Sequence, residues 1–184
     1  MLYHCSPTPG IRVLRPSETA WFGKPRQVCL TGLLPMALLY GVRHFEYTYG
    51  YTRDGRICFE EYCEDALGRI YGGQRASLYL CAESADLLTT AIPNEYVSDA
   101  PVPVLEERPV PDVLAALLEQ ERLGALKIVR YAEMTAASRK RALKAERDTI
   151  LEQGLLTQDT AFARYMRATY PAAWALAEQE EEGT

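Results

Sequence analysis

Residues 28–41 read Val28-Cys29-Leu30-Thr31-Gly32-Leu33-Leu34-Pro35-Met36-Ala37-Leu38-Leu39-Tyr40-Gly41, and the rest of the chain is best organised around them. The first four residues are apolar or β-branched and predict a short buried strand, and Gly32 lets the chain turn. Pro35 is typical of a first helical turn, where its missing N–H has no partner to lose. A short helix then ends at Gly41, with Tyr40 beside the crevice that forms at the strand's end. From these residues alone, ordinary packing of Tyr40 is the preferred interpretation.

The composition is that of a globular protein. The chain has 184 residues, 48% of them hydrophobic and 24% charged, which suffices for one core or for one domain with a small appendage. A net charge of −5 gives no general attraction to nucleic acid or to an anionic membrane, so neither is expected as a partner. No apolar run reaches the roughly 20 residues of a membrane span, and no signal peptide is recognisable, so we expect a cytoplasmic protein.

The cysteines predict free thiols rather than disulfides. There are five of them, an odd number, all in the first half of the chain and without a Cys-x-x-Cys pair. Buried cysteines that act as small hydrophobic residues in a reducing compartment explain this pattern best. A zinc site formed by Cys58, Cys63 and His44 has the wrong spacing for the common structural sites, and no metal is predicted.

Alternating patterns before residue 110 predict a sheet. Strands are expected at Leu2–Ser6 and Ala76–Ala82, and a hairpin at Phe45–Tyr62 that turns at Asp54-Gly55. An extended run follows from Asn94 to Val110, where closely spaced prolines restrict pairing. The sequence therefore predicts an α/β domain over residues 1–110.

Tyrosines alternate along the first strand of this hairpin, at Tyr47, Tyr49 and Tyr51. Such a row is able to stack nucleic-acid bases. Because only Arg53 and Arg56 accompany it at the turn, a half-buried sheet face is the better interpretation.

Helical spacing dominates residues 111–184. Pro111 begins one helix, Thr135 is a plausible N-cap of another that ends before Gly154, and Pro171 interrupts or restarts the last one. The second of these helices carries a basic cluster of Arg139, Lys140, Arg141, Lys144 and Arg147. Phosphate binding is one interpretation of this cluster, but acidic residues lie nearby and a solvated helix face is preferred.

Three stretches, taken together and in order, resemble the ADP-ribosyltransferase fold, in its diphtheria-toxin and poly-ADP-ribose polymerase branch. Leu2-Tyr3-His4-Cys5-Ser6 is similar to the first-strand pattern aromatic-His-Gly-Ser. Residues 28–41 resemble the second strand and its helix, and Asn94-Glu95-Tyr96-Val97 resembles the signature that carries the branch's glutamate. The resemblance is limited to residues 1–110.

The resemblance implies a split, antiparallel-rich sheet in an α+β fold, with NAD bound in the cleft as a substrate. It says nothing about the C-terminal part, which is expected to be helical from its spacing alone. His4 would bond the adenosine ribose, Ser6 would add a hydroxyl contact, and Tyr40 would stack on the nicotinamide ring. Glu95 would accept from the nicotinamide ribose and stabilise the oxocarbenium-like transition state as nicotinamide leaves. Glu95 and His4 are thus the expected catalytic residues, and the acceptor is left open.

Two positions of the implied cofactor site depart from the family. Cys5 replaces the glycine whose backbone grips the nicotinamide carboxamide, and a side chain there restricts close approach. Cys29 stands where the branch has the tyrosine of its His-Tyr-Glu triad. The site is therefore expected to bind NAD weakly, to use a different geometry, or to be catalytically silent.

Two other functions compete with NAD-dependent ADP-ribosyl transfer. An RNA 2′-phosphotransferase of related fold would favour additional basic and histidine residues around the cleft, and this chain has only His4 and His44. The alternative outside enzymology is a silent member of the fold, or an unrelated α+β protein, that serves as a binding module through its helical part.

Overall fold

The computed structural model describes residues 1–17, 26–43, 49–84 and 86–182, and these form an α+β protein. The strands are β1 (Leu2–Ser6), β2 (Val13–Leu14), β3 (Val28–Thr31), β4 (Tyr49–Tyr51), β5 (Ile57–Glu60), β6 (Ala76–Cys81), β7 (Leu88–Thr89), β8 (Glu95–Ser98), β9 (Val102–Val110) and β10 (Leu126–Val129). The helices are α1 (Leu34–Leu39), α2 (Ala66–Tyr71), α3 (Val113–Arg122), α4 (Ala136–Glu152), α5 (Ala161–Thr169) and α6 (Pro171–Glu182). Within the described ranges, no helix is long and apolar enough to cross a membrane.

The larger sheet has seven strands among the described residues, in the order β2-β9-β6-β1-β3-β8-β7. Its neighbouring strands pair antiparallel. Every residue of β6 is buried, so both faces of the sheet are covered at its centre. A smaller sheet has the order β10-β5-β4. The prediction of an antiparallel-rich α+β fold with helices towards the C-terminus is confirmed at this level.

The chain divides into two compact units that are not continuous in sequence. The first comprises residues 1–47, 51–57 and 67–127, and the second comprises residues 48–50, 58–66 and 128–184. One core of the first unit lies on a single face of the larger sheet and consists of Leu2, Leu14, Val28, Leu30, Tyr79, Cys81 and Val102. The division near residue 110 that the sequence suggests stays a prediction.

The second unit is built around the contacts of α4, α5 and α6. Its core consists of Ile150, Leu155, Ala163, Met166, Tyr170, Ala173, Trp174 and Ala177. Thr135 caps α4 by accepting from the Ser138 N–H, as predicted, and Gly154 adopts a left-handed φ of +59° after the helix. Pro171 begins α6 directly after α5, which confirms its interrupting role.

Two cations of the basic cluster on α4 already have partners in this unit. Arg147 pairs with Asp148 and, at 3.1 Å, with Glu180 of α6. Arg139 donates to the Tyr131 and Ala132 carbonyls and stacks on the Tyr131 ring. These contacts favour a structural role for both side chains over phosphate binding.

Local turn chemistry explains the other elements. The predicted hairpin is present as β4 and β5 around Gly55, whose φ is +82°, while its first residues 45–48, including Tyr47, lie outside the described residues. The predicted extended run from Asn94 to Val110 is instead two strands. Ser98 Oγ accepts from the Ala100 N–H and donates to the Ala100 carbonyl, and this turn ends β8.

Candidate functional site

The three stretches that carry the family resemblance lie on adjacent strands. Strand β3 is flanked by β1 and β8, and Tyr3, Thr31 and Glu95 stand opposite one another in the two ladders. Strands are spaced about 4.8 Å apart, so the row from Tyr3 to Glu95 is about 10 Å wide. Residues directly opposite in antiparallel strands share a face, so these three side chains project to the same side of the sheet.

Helix α1 covers this face. It follows β3 after Gly32, and the Thr31 hydroxyl donates to Met36 Sδ at 3.2 Å while accepting from the Leu33 N–H. One turn further, Tyr40 closes α1 on the same helical side as Met36, about 6 Å along the axis. The strand, the turn and the helix predicted from residues 28–41 are therefore present, and they set Met36 next to the row.

The Glu95 carboxylate is held by a nearby threonine. Thr90 Oγ1 donates to Glu95 Oε2 at 2.6 Å, a distance typical of a hydroxyl bonded to a charged carboxylate. The turn before β8 places Asn94 at a left-handed φ of +61°, and the Asn94 carbonyl accepts from the Gly32 N–H at 3.1 Å. Glu95 thus begins its strand with both its backbone and its side chain anchored.

His4 is tied to the neighbouring strand through its ring. Its Nδ1 lies 2.9 Å from the Cys29 carbonyl oxygen. Because a carbonyl only accepts, Nδ1 carries the hydrogen, and Nε2 of the neutral ring is left as an acceptor. Burial lowers the His4 pKa, against a smaller raising effect of the bond to the Cys29 carbonyl. His4 is therefore a neutral imidazole near pH 7, with one defined acceptor atom.

Strand alternation separates His4 from Glu95. His4 follows Tyr3 in β1, so its Cβ projects to the opposite face, where the imidazole lies 6.3 Å from the Tyr79 ring. The imidazole nevertheless reaches the Cys29 carbonyl, and backbone carbonyls of a strand point within the plane of the sheet. The structure therefore brings Glu95 and Thr31 together but sets His4 on the opposite face, so His4 and Glu95 do not converge on one side of the sheet. The joint catalytic role of Glu95 and His4 stays a prediction.

The remaining predicted site residues have different surroundings. The Cys5 thiol is buried, which raises its pKa to about 12, so it stays protonated and packs as a small apolar group. A Cβ added to Gly41 would lie 2.8 Å from Cys5 Sγ, which shows that this thiol occupies space directly beside the end of α1. Cys29 is partly exposed, and Ser6 Oγ accepts from the Thr8 N–H at 3.2 Å.

The threonine that anchors the glutamate has no distinctive sequence signal and was not predicted. Thr90 stands five residues before Glu95, in a loop that has no periodic pattern to draw attention to it. The only cue is a short polar side chain near a charged residue at the start of a strand, which is common in sequences of every kind. Among the described residues, no group of histidine, cysteine or acidic side chains could hold a metal ion; His44 lies outside them.

Comparison of the chain with protein-family models, with curated proteins and with solved structures found no match.

Proposed function

We propose that the protein is an NAD-dependent ADP-ribosyltransferase whose chemistry takes place at Glu95. The observation that carries this function is the row of Tyr3, Thr31 and Glu95 across β1, β3 and β8. In this row the Glu95 carboxylate, which is bonded by Thr90, lies on the same face as residues of the two strands that carry the other stretches of the family resemblance. Helix α1 covers the same face and supplies Tyr40.

A fixed carboxylate suits the bond that must break. When the nicotinamide–ribose bond cleaves, its electron pair leaves with nicotinamide and positive charge develops on the ribose. Glu95 accepts a hydrogen bond from the ribose 2′-hydroxyl and stabilises the positive charge on the ribose only as that charge forms. Glu95 therefore acts on the transition state more than on bound NAD. The nucleophile, from an acceptor or from water, then bonds to the ribose carbon and releases its proton.

The proposed fold includes a sheet that splits between β1 and β3. Within the described strands, the β1–β3 ladder has one residue pair, Tyr3 opposite Thr31, whereas β1 pairs with β6 at five positions from Leu2 to Ser6. The His4 imidazole bonds β3 here from the face opposite Glu95. His4 Nε2 is the acceptor that we propose for a ribose hydroxyl of NAD.

The residues at the family's glycine and tyrosine positions modify this site. Cys5 Sγ packs beside Gly41 at the end of α1, because glycine has no side chain to fill that space. Cys29 provides a small side chain on the Glu95 face where an aromatic ring would close the site. We therefore propose weaker NAD binding than the family pattern gives, with Tyr40 as the remaining stacking residue.

Nicotinamide release from NAD tests the function directly. Glu95→Gln keeps the shape of the side chain but removes its charge, and we expect kcat to fall roughly 100-fold or more with little change in KM. The matched control is Glu106→Gln on β9, which removes an exposed carboxylate paired with Arg108 and should leave turnover unchanged. Equal loss in both variants, or none in either, would contradict the assignment of Glu95.

Titration of NAD by calorimetry separates binding from turnover. His4→Ala should weaken NAD binding more than it lowers kcat, because the charge of the ribose that His4 contacts does not change during the reaction. An unchanged affinity in this variant would remove His4 from the site. A folded wild-type protein that neither binds NAD nor releases nicotinamide would favour the binding-module interpretation.

A further inference from the structure

The tyrosine row of the hairpin contains one member that contacts the turn before Glu95. Tyr51 Oη donates to the Pro93 carbonyl at 2.5 Å and lies 3.7 Å from Met36 Sδ. The alternating tyrosine pattern predicts a half-buried sheet face for Tyr51, and the function proposed above does not use this residue. Its hydroxyl nevertheless bonds Pro93, which stands two residues before the proposed catalytic Glu95.

Two successive carbonyls before Glu95 are held by separate donors. Tyr51 Oη bonds the Pro93 carbonyl, and the Gly32 N–H bonds the Asn94 carbonyl at 3.1 Å. Between them Asn94 adopts a φ of +61°, in the left-handed region that asparagine enters more readily than most other non-glycine residues. The direction in which the chain enters β8 is thus fixed from two sides.

The same tyrosine is linked to the strand on which Glu95 pairs. Met36 Sδ contacts Tyr51 Oη and also accepts from Thr31 Oγ1, and Thr31 stands directly opposite Glu95. A contiguous set of contacts therefore leads from Tyr51 to the Glu95 backbone on one side and to its pairing partner on the other.

We propose that Tyr51 is the positioning residue of Glu95, an inference that rests on the function proposed above. Tyr51 does not touch the reacting atoms. Its hydroxyl holds the Pro93–Asn94 turn, and this turn fixes the position of Glu95 at the start of β8 and hence the position of its carboxylate. A small displacement of a catalytic group costs much more in rate than in affinity when the group acts on the transition state. Loss of the Tyr51 hydroxyl should therefore lower kcat and leave KM unchanged.

Tyr51→Phe is the decisive variant, because it removes the hydroxyl and keeps the ring. The matched control is Ser98→Ala at the other end of β8, which also removes a hydroxyl bonded to a backbone carbonyl, that of Ala100. Two quantities are measured for each: the steady-state kinetics of nicotinamide release, and amide hydrogen exchange at Gly32 and Glu95, whose N–H groups bond the Asn94 and Ile92 carbonyls.

We expect Tyr51→Phe to accelerate exchange at Gly32 and Glu95 roughly fivefold, the effect of losing one hydrogen bond from a local opening equilibrium. Its kcat should fall roughly five- to tenfold at constant KM. Ser98→Ala should accelerate exchange at Ala100, whose N–H bonds the Ser98 hydroxyl, and leave Gly32 and kcat as in the wild type.

The two readouts distinguish failure of this inference from failure of the proposed function. Unchanged exchange at Gly32 and Glu95 in Tyr51→Phe overturns the positioning role, whatever the activity. Faster exchange with unchanged kcat also overturns it, because the turn then moves without consequence for Glu95. If the wild type is inert towards NAD, the proposed function fails, and faster exchange in Tyr51→Phe still supports Tyr51 as the residue that holds Glu95.

Discussion

Gly41→Ala tests the contact between α1 and the first strand. The φ of Gly41 does not lie in the left-handed region, so the reason for glycine is space. An added Cβ would lie 2.8 Å from Cys5 Sγ, 3.0 Å from the Leu38 carbonyl oxygen and 3.4 Å from the Ala76 Cβ. Because Cys5 and Ala76 are buried in strands and one of the three atoms is backbone, the neighbours have little freedom to yield.

We expect Gly41→Ala to lower the free energy of unfolding by about 1–3 kcal/mol, the usual effect of an extra methyl group in a packed core. For a chain of this size, each kcal/mol lowers the melting temperature by about 2–4 °C. Urea and thermal unfolding, followed by circular dichroism, measure both quantities. The control is Gly50→Ala, where an added Cβ meets no atom within 4 Å and no loss of stability is expected.

A double variant identifies the atom responsible. In a Cys5→Ala background, the closest of the three contacts is gone, so Gly41→Ala should lose about 1 kcal/mol less stability than it does in the wild type. The contact with the Leu38 carbonyl remains and prevents complete recovery. A Gly41→Ala protein as stable as Gly50→Ala, or a loss that is the same with and without the Cys5 thiol, would refute the packing explanation.

Two further predictions concern the His4 imidazole and the helical core. The pKa of a histidine in the unfolded chain is near 6.5, whereas burial lowers the pKa of His4 in the folded protein. The folded state should therefore keep its full stability above pH 6.5 and lose stability as the pH falls from 6.5 towards the lowered pKa of His4. His4→Asn keeps a donor for the Cys29 carbonyl but does not titrate, so its urea unfolding between about pH 7.5 and pH 5.5 should lack this loss; parallel pH profiles would contradict the role of His4. In the second unit, Ile150→Ala should cost about 2–5 kcal/mol in thermal unfolding because Ile150 is completely buried. Leu176→Ala, at a side chain that is 40% exposed, should cost far less, and similar losses in the two variants would show that this core is packed differently.

Local signals are what made part of the fold predictable. Pro35 and the apolar run before Gly32 are properties of adjacent residues, and the structure has β3 and α1 where they were expected. The same holds for Thr135 at the start of α4 and for Pro171 at the start of α6. Each of these features is determined by residues that lie only a few positions away in the sequence.

The candidate site depends on pairing that no local pattern specifies. Tyr3, Thr31 and Glu95 come from strands separated by long stretches of chain, and a shift of one residue in either ladder would move a side chain to the other face. For the same reason, the sequence could not show that His4 and Glu95 leave the sheet on opposite faces. Gly41 illustrates a further limit, since its place after a helix was visible but its contact with Cys5 was not.

The central position of β1 among the described strands of the larger sheet has a consequence for synthesis of the chain. Strand β1 pairs on one side with β3 and on the other with β6, which ends at Cys81. During synthesis, one edge of β1 has no partner until β6 has been made, and its apolar side chains stay open to other nascent chains. Folding of the sheet is thus delayed by its own topology, and loss of residues 2–6 would leave two half-sheets, β2-β9-β6 and β3-β8-β7, without the strand that joins them.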